Sequence, residues 1–182
     1  MSSIRIVNMT ELNEKQLFEA ADILHKSLKE GWPTLLEAQE EIRKRLVPEN
    51  TLLAAVDSGV VLGFGGILPS YGGNMCELHP LAVREDMRNR GIGTAIVRAL
   101  EDAARQKGAY TLWLGADDEK ENGETSLANV NLFDDLPARI KGFQPGTHQS
   151  AFYLKLGYQI IGVMPDANGK GKPDIYMGKR LR

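Results

Sequence analysis

The chain has a single cysteine, Cys76. One thiol excludes an intrachain disulfide and fits a reducing, cytoplasmic compartment. Its neighbour Glu77 works against formation of a thiolate, so Cys76 reads as structural. Long hydrophobic runs are missing as well. The longest apolar stretches are strand-length, which argues against a transmembrane helix, and the opening MSSIRIVNMTE lacks the apolar core of a signal peptide. Nor is there an excess of positive charge: a net charge of −2 and a pI near 6.0 argue against nucleic acid as the main partner. No membrane partner and no metal site are expected. The chain does have 182 residues at 42% hydrophobic content, enough for one domain with a real core, so 1–182 is expected to be a single domain.

Taken in order, Ser3 to Asn8 reads as a strand. Thr10 with Asn13 opens a helix of about twenty residues that buries Leu17, Ala20, Ala21, Leu24 and Leu28 and is closed by Gly31-Trp32-Pro33. Thr34 or a neighbour caps a second helix to about Leu46, with Leu35, Leu36, Ala38, Ile42 and Leu46 inward. A hairpin follows: Thr51 to Val56, the turn Asp57-Ser58-Gly59, and Val60 to Leu68. Beyond the central stretch described next, Tyr110 to Leu114 returns as a strand. Leu127, Val130, Leu132, Phe133, Leu136 and Ile140 suggest a short helix within the long segment 115–146, and Gln149 to Leu156 forms another. Tyr158 to Val163 and Ile175 to Met177 are the last strands.

The central stretch is Glu77 to Gly108, which reads as strand, glycine loop and helix. Leu78 to Val83 is the strand. The loop Arg88-Asn89-Arg90-Gly91-Ile92-Gly93-Thr94 leads into a helix with Ile92, Ile96, Val97 and Leu100 on one buried face and Gly108 at its end. Gly91 and Gly93 leave the backbone bare where the helix starts. Its first N–H groups have no intrahelical partner and sit at the positive end of the dipole, which makes an anion seat beside Arg88 and Arg90. A dinucleotide fingerprint is excluded, because its third glycine position here is Ile96. Pro80 interrupts the strand and cannot donate to a ladder. A bulge or splay there frees main-chain groups from His79 to Val83 for an extended ligand that adds as a short strand. A ligand with a pyrophosphate at one end and an amide-bearing arm at the other is coenzyme A.

Leu81-x-Val83 followed by Arg88-x-x-Gly91-x-Gly93 resembles the acetyl-CoA motif of the GCN5-related N-acetyltransferases (GNAT). The resemblance implies an α/β fold: a mixed, mostly antiparallel sheet of six or seven strands, helices on both faces, and a splay between two central parallel strands. The cofactor site is then Leu81, Val83, Arg88, Asn89, Arg90, Gly91, Ile92, Gly93 and Thr94, with acetyl-CoA as co-substrate.

Acetyl transfer to an amine needs a deprotonated amine, an oxyanion donor and a proton for the departing thiolate. Glu77 and His79 lie two apart on the strand and share a face. For each, two readings stay open: base, or group that positions the ammonium or a water. The backbone N–H of Leu81 is the oxyanion candidate. Ala151-Phe-Tyr-Leu-Lys-Leu-Gly-Tyr158 resembles the family's closing motif, which makes Tyr153 the proton donor to sulfur, against the alternative of a core aromatic.

Glu77-Leu-His-Pro-Leu81, Leu114-Gly-Ala-Asp-Asp118, Phe152-Tyr-x-Lys-Leu-Gly-Tyr158 and Gly162-Val-x-Pro-x-Ala-Asn-Gly169 are together similar to the aminoglycoside 6'-N-acetyltransferases of the chromosomal Gram-positive branch. That likeness implies direct attack by the 6'-amine of an aminoglycoside in a ternary complex, antibiotic resistance as a role, amine-site roles for Glu77 and His79, an outer contact at Trp32, and a homodimer. Between Asp117 and Asp135 seven acids face only Lys120, a negative field suited to a polycation, with Asp117 and Asp118 nearest the chemistry. The bland reading is a solvated loop. Rival functions are acetylation of a polyamine or of a peptide or protein amine, and a non-catalytic acetyl-CoA-binding module.

Overall fold

The computed structural model describes residues 4–182. Seven strands are present: β1 (Arg5–Asn8), β2 (Thr51–Asp57), β3 (Val60–Ser70), β4 (Met75–Val83), β5 (Thr111–Asp117), β6 (Gln159–Met164) and β7 (Asp174–Arg180). The helices are α1 (Glu14–Ser27), α2 (Leu35–Arg45), α3 (Ile92–Gln106), α4 (Leu136–Lys141) and α5 (Ser150–Lys155). The strand order is β1-β2-β3-β4-β5-β7-β6, and α3 is the crossover from β4 to β5, a parallel pair in a mostly antiparallel sheet. The expected fold class is therefore the observed one. Ser3, the expected start of the first strand, lies outside the described residues.

Two compact units divide the chain, one of Met1–Leu112 with Leu181–Arg182, the other of Trp113–Arg180. In the first, α1 starts later than Thr10. Asn13 and Gln16 close a reciprocal capping box, while Thr10 sits in a separate 3-10 turn, so the helix has 14 residues instead of about twenty. Thr34 caps α2 through the same device with Glu37. Leu36, expected inward, is 61% exposed, because the core stripe runs through Ala38 and Ile42. Ser58 and Gly59 both have positive φ, the two-residue turn that matches strand twist.

The core of this unit joins Met9, Ala20, Leu24, Ile42, Leu52, Phe64 and Ala82. Burying each large side chain of this kind contributes about 1.5–3 kcal/mol. The face of α3 predicted from its spacing, Ile92, Ile96, Val97 and Leu100, is buried throughout. Its C-terminus closes with Ala109 N–H on the Ala104 carbonyl and Gly108 N–H on that of Arg105, with Gly108 at φ +90°.

Strand β4 alternates without exception: Cys76, Leu78, Pro80 and Ala82 are buried, while Met75, Glu77, His79, Leu81 and Val83 are half-exposed. The bulge expected at Pro80 is present. Gly65 pairs with Leu81 and Ile67 with Leu78, so Gly66 alone opposes His79 and Pro80. A Cβ on Gly66 would lie 2.9 Å from the His79 carbonyl oxygen, so this crossing requires glycine.

In the second unit β6 and β7 form an antiparallel pair in which Ile160 opposes Met177 and Gly162 opposes Tyr176, leaving Ile161 as the extra residue. Leu127, Leu132, Tyr158, Ile175 and Met177 are buried. The helix expected in 115–146 covers only Leu136–Lys141. Leu127 and Leu132 are buried from irregular chain, and Phe133 is 77% exposed. Local hydrogen bonds explain the difference: Asn131 bonds Asp134 and the Phe133 N–H, and Asp135 caps α4. Strand β5 also runs three residues past Leu114, which puts Asp117 on the strand itself. Among the described residues no helix is long and apolar enough to cross a membrane.

Candidate active site

The cofactor candidates lie at one end of the first unit. Gly91 is the N-cap of α3 at φ +82°, with no side-chain capping bond, and Asn89 is also left-handed at φ +60°. The helix thus begins with backbone N–H groups of Ile92, Gly93 and Thr94 that no residue inside the helix can accept. Arg90, Asn89 and Gly91 are exposed, and a Cβ at Gly91 would meet no atom within 4 Å, so only φ requires the glycine there. Arg88 differs from the expectation of a free cation. Its Nε donates to the Val83 carbonyl at 3.2 Å and its Nη2 to Ser27 Oγ at 3.0 Å. It fastens the loop to the end of β4, and the Val83 carbonyl is taken up by that contact. The turn right after β4, ahead of this loop, is stiffened by Arg84, which donates twice to Asp86 at 2.7 Å and holds that carboxyl below its usual value.

Glu77, His79 and Leu81 project from the half-exposed face of β4. The Trp32 ring lies 5.7 Å from that of His79 at an interplanar angle of 52°, so two residues forty-seven positions apart in the chain meet. His25 Nδ1–H donates to the Trp32 carbonyl at 2.9 Å and holds the loop after α1. Sequence reasoning missed Glu41. Its Oε1 accepts from Arg45 Nε at 2.6 Å and stands 3.8 Å from His79 Nε2, which places a carboxylate beside the imidazole. In the sequence Glu37, Glu41 and Arg45 look like an ordinary solvated ladder at four-residue spacing.

In the second unit Tyr153 is buried on α5, its ring 5.0 Å from that of Phe152 and 5.6 Å from that of Tyr158. Desolvation pushes its phenol well above the usual tyrosine range, so it stays neutral. Asp117 is exposed, and its Oδ1 accepts from Asn168 Nδ2 at 2.5 Å. Asp118 corrects the sequence reading. It is 0% exposed, and its two oxygens accept the Glu124 and Thr125 N–H groups at 2.8 Å each. That carboxylate shapes the loop from inside and does not face a ligand. Of the other acids, Glu124 pairs with Lys120 at 2.8 Å, and Asp134 and Asp135 serve local turns. Asp117 and Glu121 are the exposed acids nearest the end of β5.

Sequence reasoning also missed His148. It is 3% exposed, and its Nε2 donates to the Asp117 carbonyl at 2.9 Å. The expected helix opens at Gln149, so His148 lies just before it in a polar run, where nothing in the local pattern signals burial.

The acetyltransferase (GNAT) family model matches residues 17–127. A crystal structure of an aminoglycoside 6'-N-acetyltransferase complexed with coenzyme A superposes with a TM-score of 0.92 at 35% identity, covering 98% of this chain and 97% of the other. The aminoglycoside 6'-N-acetyltransferase from Enterococcus faecium gives 0.90 at 35% over the same shares. The aminoglycoside 6'-acetyltransferase type Ii gives 0.76 at 32%. A comparison with curated proteins found no significant match.

The buried phenol yields a prediction of sign. The folded state resists ionisation of Tyr153 and the unfolded state does not, so its contribution to stability is intact below about pH 10 and is lost as pH rises beyond that. Thermal melts between pH 8 and 11 should show stability falling at the alkaline end. Tyr153→Phe should flatten that fall; an unchanged slope would mean that Tyr153 ionises freely in the fold.

Proposed function

We propose, from the premise that the chain belongs to the acetyltransferase (GNAT) family, that it transfers an acetyl group from acetyl-CoA to the 6'-amine of an aminoglycoside. The observation that carries the acceptor assignment is the likeness to aminoglycoside 6'-N-acetyltransferases at 35% identity over nearly the whole of both chains. The pyrophosphate of acetyl-CoA sits on the α3 N-terminus against the N–H groups of Ile92, Gly93 and Thr94, with Asn89 and Arg90 beside it. The arm runs along the main chain of β4 from Leu81 toward Val83.

The amine attacks the thioester carbon directly. As the C–N bond forms, the ammonium proton passes to Glu77, directly or through water, and His79 beside Trp32 positions the amine. The Leu81 N–H holds the oxyanion. As the C–S bond breaks, Tyr153 donates a hydrogen bond to sulfur. Thiols ionise near about pH 8.5 and this phenol far higher, so the phenol steadies the developing thiolate without ending as phenolate. Asp117 supplies a carboxylate for the polycation. The whole chain acts as one catalytic domain in the cytoplasm, where the buried Cys76 stays reduced, and the product chemistry is that of antibiotic resistance.

Thiol release from acetyl-CoA against aminoglycosides, polyamines and peptides tests the assignment. Aminoglycosides with a free 6'-amine should give the highest kcat/KM. Gly91→Val should abolish acetyl-CoA binding by calorimetry while leaving the melt cooperative. A preference for peptide termini or polyamines would overturn the acceptor assignment.

We also propose a homodimer. Ile175 and Met177 are buried within the chain, but Ile161 and Met164 on β6 are 54% and 49% exposed on the last strand of the sheet order. Light scattering at micromolar concentration should give twice the chain mass; a monomer mass removes the claim.

A further inference from the structure

Resting on the reading of Asp117 and Tyr153 above, we infer that His148 is a positioning residue for the transfer, a neutral imidazole that ties the end of β5 to the start of α5. The structure fixes its tautomer from both sides. The Asp117 carbonyl only accepts, so the nitrogen 2.9 Å away, Nε2, carries the proton. The Ser150 N–H only donates, and it points at Nδ1 from 3.3 Å, so Nδ1 is the acceptor; Ser150 Oγ lies 3.0 Å from the same nitrogen. His148 and Ser150 are 3% and 0% exposed, so water does not compete for these bonds.

What this latch joins gives it a role beyond packing. At one end is Asp117, whose carbonyl is held by His148 and whose carboxylate is held by Asn168. At the other is Ser150, the first residue of α5, with Tyr153 one turn on. The residue assigned to the polycation and the residue assigned to the leaving sulfur therefore take their places from one imidazole. A second proton on His148 would set an Nδ1–H against the Ser150 N–H, two donors face to face, and break the tie at α5. The carboxylate near it is Glu124, which accepts from Thr147 Oγ1 at 3.0 Å and pairs with Lys120. Partial burial works to raise the Glu124 carboxyl, but the hydrogen bonds from Lys120 and Thr147 and the Lys120 charge outweigh it and hold it below its usual value.

The test has a spectroscopic arm and a kinetic arm. Nitrogen-15 NMR of the labelled full chain near neutral pH, with the signal assigned by its loss in His148→Gln, should show Nε2–H and bare Nδ1; an Nδ1–H tautomer overturns the inference. In His148→Gln and His148→Ala, kcat should fall and the aminoglycoside KM should rise, each by about tenfold, while the acetyl-CoA Kd stays within about twofold. Folded variants with kcat and KM unchanged also overturn it. Should both variants fail to fold, the His148 signal is assigned by elimination with His25→Gln and His79→Gln, and the tautomer in the folded chain decides: Nε2–H with bare Nδ1 supports the inference and Nδ1–H sinks it. Asp117→Asn and Tyr153→Phe are measured alongside. If these are silent while the His148 variants are impaired, the roles given to Asp117 and Tyr153 fail, and the inference fails with them. If they are impaired and the His148 variants are not, only the positioning role falls.

Discussion

A helix that starts on a left-handed glycine with no side-chain cap leaves its first backbone N–H groups unsatisfied, and much else in the first unit follows from that. Such a terminus is tolerable at the surface or against an anion, and the loop before it is built to keep it in place. Asn89 and Gly91 turn the chain at positive φ, Arg84 and Asp86 stiffen the preceding turn, and Arg88 fastens the loop to β4 and α1. Ile92, Ile96, Val97 and Leu100 anchor the helix in the core, so its open end is fixed without a capping side chain. A backbone seat of this kind recognises charge and shape rather than a side-chain pattern, which suits a nucleotide cofactor shared by enzymes with different acceptors.

The second device is the register of β4. Because Gly66 alone opposes His79 and Pro80, the strand takes up an extra residue and still sends Glu77, His79 and Leu81 to one face. The crossing is so close that a methyl group at Gly66 would strike the His79 carbonyl. The second unit relies on buried polar groups instead. Asp118 organises a loop through two backbone N–H groups, and His148 joins two elements through hydrogen bonds that admit one tautomer. Each such group costs stability unless all its partners are present, so these networks specify one arrangement of the loops.

The sequence made some of this legible and not the rest, for physical reasons. The α3 face, the glycine loop, the hairpin at Ser58-Gly59, the capping role of Thr34 and the bulge at Pro80 all depend on local periodicity or on the φ demands of Gly and Pro, which are visible in a single chain. Glu41 and His148 were not. Glu41 sits in a helical charge ladder whose local reading is a solvated face, and only the tertiary approach of β4 brings it to His79. His148 and Asp118 lie in polar stretches, where composition says loop and burial is decided by long-range hydrogen bonds. Asp118 was misread for the same reason: an acid in an acidic run looks like part of a field, yet its oxygens point inward to backbone donors.

The central claim is that this chain moves an acetyl group from acetyl-CoA to one particular nitrogen of an aminoglycoside. Two-dimensional NMR of the purified product from an aminoglycoside bearing amines at several positions tests it most directly. The account predicts a single acetyl group on the 6'-nitrogen. Acetyl on any other amine or on a hydroxyl, or recovery of the unmodified aminoglycoside with acetyl-CoA intact, would contradict it.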